Sequence, residues 1–138
     1  MSAFYLAGKK KILQGDIDLL NDTIKVAFMA PAYAPNIDTE DFYDDISASI
    51  ASGSTDQTLS SKALNIDTTN DRVEFDAADL SIPNETISGG TDMMVVYKDT
   101  GVPATSPLIC FIDIAEGTLT PVNGTLAVTW NAEGIFAV

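Results

Sequence analysis

Residues 92–114 read DMMVVYKDTGVPATSPLICFIDI, two apolar runs separated by a turn-rich segment. Met93-Met94-Val95-Val96-Tyr97 and Leu108-Ile109-Cys110-Phe111-Ile112 do not alternate between apolar and polar. Each therefore has to bury both of its faces. The intervening Asp99-Thr100-Gly101 and Ser106-Pro107 are turn residues. Strands buried on two sides belong in the middle of a sandwich or barrel, and Asp92–Lys98 and Pro107–Ile114 form the predicted core.

Outward from this pair the pattern changes to half-buried strands. Ala63–Asp67 and Arg72–Asp76 alternate in side and flank the turn-rich Thr68-Thr69-Asn70-Asp71, which predicts a hairpin. Pro121 and Asn123-Gly124 mark a turn before Thr125–Trp130, where Leu126, Val128 and Trp130 share one face. The chain ends in Gly134-Ile135-Phe136-Ala137-Val138, apolar enough to pack as a strand against the body or against a neighbouring subunit.

Towards the N-terminus, residues 2–14 predict a helix capped by Ser2, with Phe4, Tyr5, Ile12 and Leu13 on overlapping faces and Gly15 as the stop. Period-two spacing from Asp16 predicts a hairpin with Ile17 and Leu19 on one arm, a turn at Asn21-Asp22, and Ile24, Val26 and Phe28 on the other. Pro31 and Pro35 interrupt pairing. Asp38–Ile46 reads as a short acidic-started helix with Phe42, Tyr43 and Ile46 turned inward. The small, polar stretch 47–62 reads as a mobile or docking loop. Six to eight strands with turns about every ten residues predict one mainly β domain over residues 1–138. The expected form is a compact antiparallel β-sandwich or Greek-key barrel with a short N-terminal helix and one further short helix.

Composition narrows function by exclusion. The chain has 138 residues, 46% of them hydrophobic, which sets it apart from a disordered acidic tail. A net charge of −13 argues against nucleic acid as a partner, because phosphate binding needs clustered cations. No run approaches the roughly 20 apolar residues of a membrane span, and no export signal is expected. The triplets at Asn21, Asn84 and Asn123 match the glycosylation pattern but read as turns. With no histidine and a single cysteine, Cys110, inside an apolar strand, the usual hydrolase triads and histidine zinc sites are unavailable. Neither phosphate-binding glycine pattern is present. A carboxylate pair is the remaining catalytic device, with Asp113 the best single candidate against the simpler reading of a solvent-facing acid. Asp38, Glu40, Asp41, Asp44 and Asp45 could supply oxygens to calcium, yet they lack EF-hand order and read rather as a solvated helix start. No cofactor, metal or catalytic residue is predicted.

Three stretches together carry a resemblance. Gln14–Asp18 with Asp22–Val26, Tyr97–Gly101 with Ala104–Ile109, and Thr129–Ile135 are similar to a widespread family of small structural proteins of tailed bacteriophages. Residues 51–65, ASGSTDQTLSSKALN, depart from that family in lacking its usual Gly-Tyr signature, as does Cys110 where a plain apolar residue is commoner. The resemblance implies a non-enzymatic virion protein, made in the host cytoplasm and placed on the head surface as a decoration, or cement, protein. Its implied partners are the major capsid protein and neighbouring copies of itself, as a homo-oligomer on the particle. The alternative is a tail, baseplate or fibre-associated β module that binds a receptor or glycan, for which Tyr33, Tyr43 and Trp130 are the available aromatics. Contacts are expected from Lys9, Lys10 and Lys11, which either complement the helix dipole or meet an acidic patch on a partner. The C-terminal Ile135, Phe136 and Val138, together with the 47–62 loop, are the other expected contacts.

Overall fold

The computed structural model describes residues 2–138. In chain order its elements are β1 (Ala3–Phe4), α1 (Leu6–Gln14), β2 (Ile24–Met29), α2 (Tyr43–Ile46), β3 (Gln57–Thr58), β4 (Ala63–Asp67), β5 (Arg72–Asp76), β6 (Leu80–Glu85), β7 (Met93–Lys98), β8 (Leu108–Asp113), β9 (Gly124–Val128) and β10 (Phe136–Ala137). The protein is mainly β and sandwich-like. A five-stranded antiparallel sheet, ordered β1-β8-β7-β2-β3, forms the central layer. A second layer consists of β10-β5-β4 and the β6-β9 pair.

The apolar character of β2, β7 and β8 on both faces follows from this layering. Ile24, Val26, Phe28, Met94 and Val96 join Phe75, Leu80, Ile82 and Leu126 of the second layer in one core cluster. The alternate residues Ala27, Met29, Val95 and Tyr97 join Tyr5 and Ile46 in another, under the helices and the 33–37 loop. One irregularity adjusts the alternation. Val96 pairs with Cys110 and Tyr97 with Leu108, leaving Ile109 as an extra residue, so Ile109 and Cys110 both enter the first cluster. α1 lies against that bulge through Gly8, where a Cβ would overlap the Leu108 carbonyl oxygen. The Tyr5 N–H donates to the Ile109 carbonyl at 3.0 Å.

The β4–β5 hairpin forms with residue-by-residue register from Ala63–Asp76 to Asp67–Arg72. β7 and β8 also fall within their predicted stretches, β9 overlaps its own, starting one residue earlier at Gly124 and ending at Val128 instead of Trp130, and the C-terminal strand β10 pairs with β5 of the same chain. Four expectations need correction. The N-terminal helix starts at Leu6, not after Ser2, because Ala3 and Phe4 pair with Phe111 and Cys110; Tyr5 is extended at the cap, and Gly15 ends the helix at φ 81°. The hairpin across Asn21-Asp22 does not form. The Asp18 carboxylate accepts the N–H groups of Leu20 and Asn21 and folds residues 16–23 into turns, although Ile17 and Leu19 remain buried. The acidic helix shrinks to Tyr43–Ile46, since Phe42 is extended and bridges Pro107. The 47–62 segment is tied down, with Ala51 and Leu59 buried and Gln57–Thr58 added to β2 as the edge strand β3.

Besides β1 and β3, which replace parts of a predicted helix and loop, β6 forms where no element is predicted. β6 contains Pro83 and Asn84, the latter at φ 57°, and its pairing with β9 breaks between Ile82 and Glu85. An edge position with a bulge is where a strand tolerates proline.

Candidate binding surfaces

The side chains with catalytic or metal-binding potential are spent on the fold. Cys110 is buried, and burial pushes its thiol pKa up, away from the reactive thiolate. Asp113 sits at the exposed end of β8. In the acidic segment, Glu40 accepts the Tyr33 hydroxyl at 2.7 Å and the Asn36 N–H at 2.9 Å, while Asp45 accepts the N–H groups of Asp41 and Phe42. Among the described residues no three Asp, Glu, Cys or His side chains converge as a metal site. No helix among them is long and apolar enough to cross a membrane.

Both tyrosine pairs anchor loops to the second face of the central sheet. Tyr5 and Tyr33 share a hydroxyl contact of 2.6 Å that continues to Glu40. Tyr43 and Tyr97 donate to the same Asp56 oxygen at 2.8 and 2.7 Å. Burial, first of all, pushes all four phenols well above their ordinary range. Asp56 is 41 positions from Tyr97, a separation without any local signature.

Cations are distributed unevenly. Lys25 pairs with Asp99 at 2.6 Å and Lys98 with Asp22 at 2.8 Å, while Lys62 donates to the Asp22 carbonyl. Arg72 holds Asp67, Glu74 and Glu133. Among the described residues Lys9, Lys10 and Lys11 form no ion pair; Lys9 and Lys11 lie over the rings of Phe4 and Phe42 at 5.8 and 5.6 Å. Leu6, Lys9, Lys10 and Leu13 repeat at helical spacing along the solvent side of α1, with Leu6 53% and Leu13 81% exposed. An apolar and basic stripe thus stands out from an acidic body.

The C-terminal residues divide. Ile135 is buried and donates its N–H to the Phe75 carbonyl at 2.7 Å. Phe136 packs edge-on to Phe4 and tilted to Phe75, each at 5.0 Å between ring centres. Val138 exchanges backbone hydrogen bonds with Val73, which in turn pairs with Ile66. These three exposed residues make an apolar row across the β10-β5-β4 sheet.

Between the two layers a half-open cleft of about 650 Å³ runs beside β8, β9 and β10. Phe28, Met94 and Ile112 line it from the central sheet, and Leu126, Val128 and Trp130 from the second layer. Trp130 is fixed by its indole N–H to the Ala78 carbonyl at 3.1 Å and by its backbone N–H to Asp79 at 2.9 Å.

What fold and surfaces together define is a mainly β, sandwich-like protein with acidic exteriors, one basic helix stripe and an open interlayer cleft. No protein-family model, curated protein or solved structure matches this chain.

Proposed function

We propose that this chain is a structural protein of a tailed-phage virion, a head decoration protein that acts by binding across seams of the major capsid protein. The observation that carries the reading is the α1 stripe of Leu6, Lys9, Lys10 and Leu13, which combines exposed leucines with the ion-pair-free lysines of a chain whose net charge is −13. Such a stripe suits an acidic, partly apolar patch on a partner: charge steers the encounter and leucine burial holds it. The apolar row Ile66, Val73 and Val138 is a second contact, suited to neighbouring copies. Many weak contacts of this kind sum through particle symmetry. The phage resemblance supports this setting, and the commitment of polar side chains to loop anchoring favours binding over catalysis.

A tail or baseplate location changes the partner but not the physics. The glycan-binding version of that alternative has less support, since the Tyr33 and Tyr43 hydroxyls are already bonded to Glu40 and Asp56.

Imaging of particles assembled with and without the protein tests the location, with added density expected on the head. Absence from purified virions refutes the reading. Binding of wild type to undecorated heads is expected to weaken with salt and to fall at least tenfold in Lys9→Glu/Lys10→Glu/Lys11→Glu. Equal binding by that variant at every salt concentration removes α1 from the interface.

A further inference from the structure

The long side of the sandwich is left open where the cleft runs, and its walls are strand edges. Among the described residues β9 pairs with β6 and β10 with β5, and each has one edge without a strand partner there. On the opposite wall Ala3 and Phe4 of β1 pair with Phe111 and Cys110 of β8. The five residues of β9 give an edge of about 17 Å, beside an apolar floor that includes Phe28, Met94 and Leu126.

Proteins normally blunt such an edge with charge, proline or a bulge in the edge strand itself. Here the defence is missing. From Gly117 to Ala132 the chain carries no charged side chain, although 27 of its 138 residues are charged (7 basic plus 20 acidic). Leu126 points into the core while Thr125 and Ala127 are exposed, the alternation of a strand ready to be paired. Acidic residues stand just outside both ends of the uncharged segment, at Glu116 and Glu133. Arg72 lines the cleft with Glu116 and Glu133, and among the described residues it is engaged by Asp67, Glu74 and Glu133.

From this geometry we infer that the cleft is an acceptor for an extended segment of a partner protein, which adds as a strand to the free edge of β9 and lays alternate apolar side chains on the cleft floor. The segment carries lysine or arginine at its ends, to meet the acidic flanks. A second copy of this chain is the wrong occupant: pairing β9 with β9 brings like-charged flanks together between two bodies of charge −13 each. Backbone pairing supplies affinity, alternate side chains and terminal charge supply selectivity. The inference does not depend on a virion location.

Trp130 is the sole tryptophan and lines the cleft, so its fluorescence reports on occupancy. The probe is the synthetic peptide Lys-Val-Thr-Val-Thr-Val-Lys, titrated into the intact protein. The expected result is a saturable shift of Trp130 emission, with amide exchange slowed at least tenfold at those β9 amides that point away from β6. N-methylation of alternate residues of the peptide, which removes backbone donors and keeps side chains and charge, is expected to weaken binding at least tenfold, as is replacement of the terminal lysines by glutamate. Equal binding by the N-methylated peptide overturns strand addition, and equal binding by the glutamate-ended peptide overturns the basic occupant. The inference also fails if no response is seen to millimolar peptide, or if the protein alone dimerises with its β9 amides already protected.

Discussion

Gly8 shows how a single missing methyl group sets the distance between two elements. Its Cα faces the Leu108 carbonyl at the β8 bulge, with no room for a side chain. Gly8→Ala is expected to cost about 3 kcal/mol in urea unfolding, as overpacking against rigid backbone. Gly15→Ala is the control: it has open space but sits at φ 81°, and strain of about 1 kcal/mol is the whole expected effect. If the two cost the same, the helix is not seated on the bulge. Asp56 is the other residue on which much depends, because it is the acceptor for both Tyr43 and Tyr97. Asp56→Ala leaves two hydroxyls without their acceptor and is expected to cost about 2 kcal/mol, with amide exchange rising along residues 52–58. Asp56→Asn keeps an acceptor oxygen and is expected to cost less than half as much. Neither role is visible locally: glycine eight residues from the start looks like a weak helix position, and Asp56 looks like one more loop acid.

At the scale of elements, β10 resolves the ambiguity of the apolar C-terminus. A finish of this composition can cover its own body or a neighbour's. Here pairing with β5 and ring contacts to Phe4 and Phe75 commit Phe136 to the chain's own core, while Val138 stays 55% exposed. Phe136→Ala is accordingly expected to lower stability by about 2 kcal/mol, whereas Val138→Ser changes it by less than about 0.5 kcal/mol. The reverse order in thermal or urea unfolding would show that β10 is not docked as described. The hairpin β4–β5 was legible residue by residue, since its alternation and its turn residues agree. β6 was not, because Pro83 argues against a strand unless the bulge and edge position are known. The Asp16–Asp22 segment misled in the opposite sense. Its period-two apolar residues do become buried, but Asp18 offers its neighbours' N–H groups a closer acceptor than a strand would.

For the whole molecule, the absence of histidine and the directions of the shifted groups shape stability against pH. Hydrogen bonds from Asn70, Asn21 and Lys25 respectively hold Asp67 at about 2 and Asp18 and Asp99 below their ordinary value. Groups lowered in the folded state stabilise it fully above their unfolded value, about pH 3.9, and lose that contribution as pH falls towards 2. The four tyrosines, buried at Tyr5 and Tyr97 and half-buried at Tyr33 and Tyr43, are raised, so their contribution is complete below about pH 10 and declines above it, where the unfolded chain releases protons that the folded one retains. Cys110, also raised by burial, loses its contribution above about pH 8.5, so the urea midpoint is expected to be flat only between roughly pH 5 and 8. Phenolate absorbance should rise together with unfolding, not as four independent titrations near pH 10. A stability step at pH 6–7, or free tyrosine titration in the folded protein, would contradict this account. The same lack of histidine and of a reactive cysteine had already removed most catalytic designs, and the structure adds that the remaining tyrosines and several carboxylates bond one another.

By itself the sequence determined that this is a mainly β chain with a doubly buried strand pair, one regular hairpin and an acidic exterior. These are properties of local periodicity and of composition, and they survive any arrangement of the layers. Tertiary structure alone decided that Asp56 serves two tyrosines, that Pro83 sits in a strand, that the C-terminus closes its own core, and that a cleft lies open along β9. Each of those depends on which distant segments become neighbours, and that contact energy has no signature within a short window of residues.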